Sequence, residues 1–131
     1  RNLSGGGNPV WDAPRLFTVD GEPIRIQAGE NGSIQGPAER KWGYTVLSVA
    51  DWDGDGRLDL IVDSHNAAWF RNVREEQGEV WYEYMGDLSE RIFAGHSTCP
   101  TPVDWNGDGK PELLLGAEDG HFYLIPNHTD K

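Results

Sequence analysis

The sequence predicts an all-β fold assembled from β-propeller blades of four antiparallel strands, with about two and a half units present. Three observations carry this. The stretch Ser48–Val62 recurs as Thr101–Leu115 at an offset of 53 residues, with Asp, Trp and Gly in step. Short apolar, β-branched runs alternate with turn sequences in a chain of 131 residues that holds 17 glycines. No segment reads as a helix, and a single four-stranded sheet cannot bury both faces without neighbours.

The units follow in order. Residues 1–41 read as the end of a preceding blade plus a loop, because one period before Trp69-Phe70 stands Leu16-Phe17. Within them, 1–10 and 28–41 are rich in Gly, Pro and polar residues and read as loops. Residues 42–94 form the complete blade. Its first strand is Tyr44–Val49, followed by an acidic glycine loop. Its second, Leu58–Asp63, is almost continuously apolar and so expected to be buried on both faces. The turn Ser64–Asn66 leads to Ala67–Val73, and the charged turn Arg74–Gly78 leads to Glu79–Met85. That last run alternates as an edge strand with one wetter face would. Residues 95–131 begin a following blade, with Phe122-Tyr123 falling on Trp69-Phe70. Closed propellers need about four to eight blades, so the chain reads as a piece of a longer propeller or as one that closes with copies of itself.

Composition narrows the function. Net charge is −11, from 22 acidic against 11 basic residues, which repels phosphate backbones and argues against nucleic acid as a partner. No apolar run is long enough to span a membrane. The single cysteine, Cys99, excludes an internal disulfide and a cysteine-rich zinc site. Of six tryptophans, Trp52 and Trp105 repeat in register and are expected to pack between blades. Trp11, Trp42, Trp69 and Trp81 do not repeat as tryptophan and could include a stacking platform for a sugar ring.

The repeated loop carries the chemistry. Asp51, Asp53, Asp55 and Asp59 occupy positions one, three, five and nine, the carbonyl of Arg57 position seven, and Gly56 the sharp turn. This is the alternation by which an EF-hand loop surrounds Ca²⁺, although position twelve is Val62 and the flanks read as strands. The second loop offers Asp104, Asn106, Asp108, the carbonyl of Lys110, and Glu112. Hard oxygen donors without His or Cys favour Ca²⁺ over zinc, and a strict octahedron makes Mg²⁺ the poorer fit. The second loop has one negative charge fewer and is expected to bind more weakly. Two Ca²⁺ ions would bring the net charge from −11 to −7.

The pattern Asp-x-Asp-x-Asp-Gly-x-x-Asp followed by an apolar strand resembles the calcium signature of FG-GAP repeats, also called VCBS repeats, of integrin α-subunits and secreted bacterial propellers. Val49–Asp63 and Pro102–Ala117, with Gly120–Leu124, carry the resemblance, which covers residues 42–126 well and 9–27 faintly. It implies a propeller with Ca²⁺ in the loop between a blade's first two strands. Asn106, Pro111 and Glu112 depart from the pattern but leave oxygen ligands available.

At the opposite end of the blade, sequence places Tyr44, His65 and His96 as candidates for proton transfer and Arg71 as a partner for a substrate carboxylate. No spacing rule links them, and the simpler reading is that the histidines are turn and strand-end residues and Arg71 a solvated strand residue. Secreted propellers of similar appearance include polysaccharide lyases that use Tyr, His and Arg. The resulting expectation is a secreted or periplasmic calcium-binding segment that recognises a glycan or protein. The alternatives are part of a polysaccharide lyase completed by other blades, or a self-assembling scaffold.

Overall fold

In the computed structural model, residues 2–24, 46–62, 67–91, 99–117 and 119–129 are described. Among them there is no helix. The described residues form nine strands in two sheets: β1 (Thr18–Val19), β2 (Glu22–Pro23), β3 (Leu47–Ala50), β4 (Asp59–Val62), β5 (Ala68–Glu76), β6 (Glu79–Asp87), β7 (Cys99–Val103), β8 (Glu112–Gly116) and β9 (Phe122–Ile125). The first sheet has the order β2-β1-β6-β5-β4-β3 and the second β7-β8-β9.

Strands β3 to β6 make the four-stranded antiparallel meander read from the sequence. The last of them is not an edge. β1 lies parallel to β6, with Thr18 opposite Trp81 and Val19 opposite Tyr82, and so satisfies the backbone groups that an edge would leave open. A two-residue strand is too short to show a period, which is why the sequence hides it. Two tight turns have consecutive positive φ, as type I′ hairpins require: Asp20-Gly21 (53° and 81°) and Gln77-Gly78 (52° and 82°).

Strand β4 is buried along its whole length, and its two faces feed two cores. Ile61 joins Trp52 and Ala67 against Leu113 and Leu115 of the second sheet, with Trp69, Leu88, Tyr123 and Ile125 around them. Leu60 and Val62 point the other way, into a cluster with Ala68, Phe70 and Tyr82, bordered by Val19, Ile24 and Val80. Phe17 closes edge-on over Tyr82, ring centres 5.7 Å apart. The sheets also meet where Ser48 Oγ donates to the Pro100 carbonyl.

The repeat extends to the ladders. Leu47 pairs Val62 and Ala50 pairs Asp59 in the first sheet; Pro100 pairs Leu115 and Val103 pairs Glu112 in the second, each 53 residues on. The following hairpin breaks the correspondence. Ile61 faces Trp69, but Leu114 faces Leu124, so Leu124 rather than Phe122 is the counterpart of Trp69. The second hairpin is two residues longer, and a slip of two keeps every side chain on its original face. Trp52 is 1% exposed beneath the second sheet, whereas Trp105 is 63% exposed, because no described residue covers its equivalent face. Among the described residues, Trp52 is the one of the two that packs between sheets.

Candidate metal centre

Both acidic loops join antiparallel strands and are held by side chains that accept from the loop's own backbone. In the first, Asp51 Oδ2 accepts from Gly56 N (3.0 Å), Asp53 Oδ1 from Asp55 N (3.2 Å) and Asp55 Oδ1 from Arg57 N (2.9 Å). In the second, Asp104 Oδ2 accepts from Gly109 N (3.0 Å), Asn106 Oδ1 from Asp108 N (2.8 Å) and Asp108 Oδ1 from Lys110 N (2.9 Å). Such Asx bonds shape a turn without any ladder. Gly54 and Gly56 adopt φ of 75° and 89°, and Gly107 and Gly109 of 78° and 84°. The conformation belongs to the left-handed region, where a Cβ is strained.

The ninth position closes each loop from below. Asp59 is fully buried on β4; its Oδ2 accepts from Trp52 N (3.2 Å) and Trp69 Nε1 (3.1 Å), and its Oδ1 from Asn72 N (2.8 Å). Burial pushes its carboxyl above the usual range, and the donated hydrogen bonds only partly offset that. Glu112 has the corresponding role, with Oε2 accepting from Trp105 N (2.8 Å) and Oε1 from Asn106 Nδ2 (2.6 Å). Asn72, which the sequence did not single out, is also fully buried and donates to Leu58 O (3.2 Å) and Glu75 Oε1 (2.6 Å).

Of the sequence-derived ligands, Asp51, Asp53 and Asp55 come together: each offers a carboxylate oxygen within 4.8 Å of the others. Among the described residues no second group of three acidic, His or Cys side chains converges this way. Asp104, Asp108 and Glu112 share the loop architecture, with Asn106 at the third position. A cation fits the first loop by two criteria. Its donors are all hard oxygens, and Asp51 Oδ1 is buried with no hydrogen-bond partner.

Arg71 lies at this loop and not at the opposite end of the blade. Strand register decides it: Phe70 pairs Leu60, so Arg71 stands level with Asp59 at the acidic end. Its Nε is 2.5 Å from Asp53 Oδ2, an ion pair whose N–H points off the hydrogen-bond line. Its Nη2 donates to Asp55 Oδ2 (3.2 Å), which also accepts from Arg57 Nη2 (2.5 Å). The Arg57 backbone N–H, aided by both guanidiniums, holds the Asp55 carboxyl below the usual range. Burial opposes the charge on Arg71, but the Asp53 and Asp55 carboxylates hold its pKa above normal. Tyr44, His65 and His96 lie outside the described residues.

The chain after β9 ties the loops together. Asn127 Nδ2 (2.8 Å) and Thr129 Oγ1 (3.2 Å) donate to the Trp52 carbonyl, and Lys110 Nζ donates to the Thr129 carbonyl.

Comparison with known families matches residues 51–115 to the FG-GAP-like repeat, a span that runs from the first acidic loop through the second into β8. No match was found among curated proteins or among solved structures.

Proposed function

We propose that this chain is a calcium-stabilised, β-propeller-type segment of a secreted or periplasmic protein that serves extracellular recognition of a glycan or a protein. In this reading 42–94 is a complete repeat unit, 95–131 begins another, and 1–41 supplies the end of a preceding one. The carrying observation is the unpartnered Asp51 Oδ1 within the hydrogen-bond scaffold of Asp51–Asp59, a scaffold whose backbone bonds recur at Asp104–Glu112, where Asp104 Oδ1 accepts from Gly107 N.

Asp51, Asp53 and Asp55 would hold the first ion, and Asp104, Asn106 and Asp108 the second, with the Arg57 and Lys110 carbonyls as further donors and Glu112, like Asp59, closing its loop from below. Asp59 accepts three N–H bonds and acts as the floor of its loop, fixing Trp52 and β5 beneath the carboxylates. The ions would supply positive charge where the carboxylates otherwise repel, so the role is structural. The match to the FG-GAP-like repeat and the acidic surface support this reading. A lyase reading loses Arg71, which stands at the acidic end of the blade beside Asp53 and Asp55.

Equilibrium dialysis against radioactive calcium tests the proposal. Saturable uptake approaching two ions per chain is expected, with Asp51→Asn removing one. Absence of saturable uptake at millimolar calcium would overturn it.

A further inference from the structure

The two loops share a scaffold but differ in their counter-charges. Asp59 apart, every carboxylate oxygen of the first loop is accounted for except Asp51 Oδ1. Asp53 Oδ1 and Asp55 Oδ1 accept backbone N–H bonds, while Asp53 Oδ2 and Asp55 Oδ2 face the Arg71 guanidinium. Among the described residues no arginine or lysine nitrogen lies within ion-pair distance of Asp104, Asp108 or Glu112, and Lys110 Nζ is turned to the Thr129 carbonyl.

Resting on the calcium reading above, we infer that Arg71 is a built-in competitor for the first loop, pairing with Asp53 and Asp55 when no ion is bound and yielding both when one enters. The strand gives it somewhere to go. Arg71 stands directly opposite Glu83 on β6, and residues so paired project on the same face of the sheet. Its side chain keeps 36% of its surface in solvent, so the guanidinium can swing between the loop and Glu83 without opening the core. Arg57 does not share this freedom, because its Nε donates to the Asn72 carbonyl (2.9 Å). The consequence reverses the order that carboxylate count gives. The first loop has more carboxylates but must release a guanidinium, so the second loop fills first.

The test is calorimetric titration of calcium into the full chain, with Asp104→Asn in every background so that the first loop is read alone. Arg71→Gln is expected to raise that loop's affinity about tenfold, and Arg71→Lys by less, since a compact ammonium cannot bridge both carboxylates as the fork does. Glu83→Gln, which removes the alternative resting place, is expected to weaken binding. In nitrogen-resolved NMR the Arg71 Nε–H resonance should shift in step with calcium occupancy; a purely structural arginine would not move. Unchanged or weaker binding in Arg71→Gln, with wild-type binding intact, overturns the inference alone. No binding to the first loop in any background overturns the calcium reading with it.

Discussion

Replacing Asp59 separates the floor of the acidic loop from its ligands. The carboxylate accepts from Trp52 N, Trp69 Nε1 and Asn72 N. Trp52 and Asn72 are 1% and 0% exposed, so water cannot replace the lost acceptor at either backbone N–H. Each such orphaned donor costs about 1–3 kcal/mol, while the half-buried Trp69 indole can turn to solvent at little cost. Asp59→Ala therefore loses about 2–6 kcal/mol gross. Removing a desolvated charge returns part of this, since burial already holds that carboxyl above its normal pKa, leaving a net loss of about 3 kcal/mol. Asp59→Asn keeps one acceptor oxygen for Trp52 and Trp69 but turns an amide N–H toward Asn72 N, a loss of about 1–2 kcal/mol. Urea unfolding followed by tryptophan fluorescence reads both as midpoint shifts at constant slope. The experiment is run in chelator. A full loss there, without calcium, is expected of a floor residue. If Asp59→Ala unfolds within about 0.5 kcal/mol of wild type in chelator and falls behind only with calcium, the carboxylate is a ligand and the argument fails.

Three further outcomes follow from other parts of the molecule. Burial, with Glu75 and Asp59 adding to it, pushes the Tyr82 hydroxyl up to about 12. Above pH 10 the unfolded chain releases this proton while the folded one keeps it, so stability should fall as pH rises from about 10 to 12, and Tyr82→Phe should flatten that slope in urea midpoints. Gly56→Ala and Gly109→Ala meet no atom within 4 Å of the new Cβ; strain at φ of 89° and 84° alone should cost each about 1–2 kcal/mol by the same assay. Ile61→Ala empties the contact between the sheets and should cost about 2–5 kcal/mol, whereas its repeat counterpart Leu114→Ala, only half-buried, should cost less than half as much.

The acidic loops were legible because their shape is local. Asx bonds and left-handed glycines lie within six consecutive residues, so DWDGDG and DWNGDG specify the turn without help from the rest of the chain. The β3–β4 and β7–β8 ladders were legible for the same reason, being registered by those loops. What the sequence concealed is set by distant partners. The two-residue β1 finds β6 across some sixty intervening residues, and nothing in Thr18-Val19 announces that pairing. The β4–β5 register carries Arg71 to the acidic end, and a strand's sequence does not state its register. Position nine of the motif reads as a ligand because alternate residues of a tight loop point to a common centre; the N–H groups that its carboxylate accepts from β5 become visible only once β5 is laid beside β4.

The most direct measurement is the thermal unfolding of the chain in chelator and across a calcium series up to several millimolar, with Asp51→Asn as control. An ion bound only by the folded state raises stability by about 2.7 kcal/mol per site at a hundredfold excess over its dissociation constant. A melting temperature that climbs with calcium, and climbs less in Asp51→Asn, is the expected result. Superimposable melts with and without calcium would contradict the account, since the carboxylates of Asp51, Asp53 and Asp55 would then have converged on nothing.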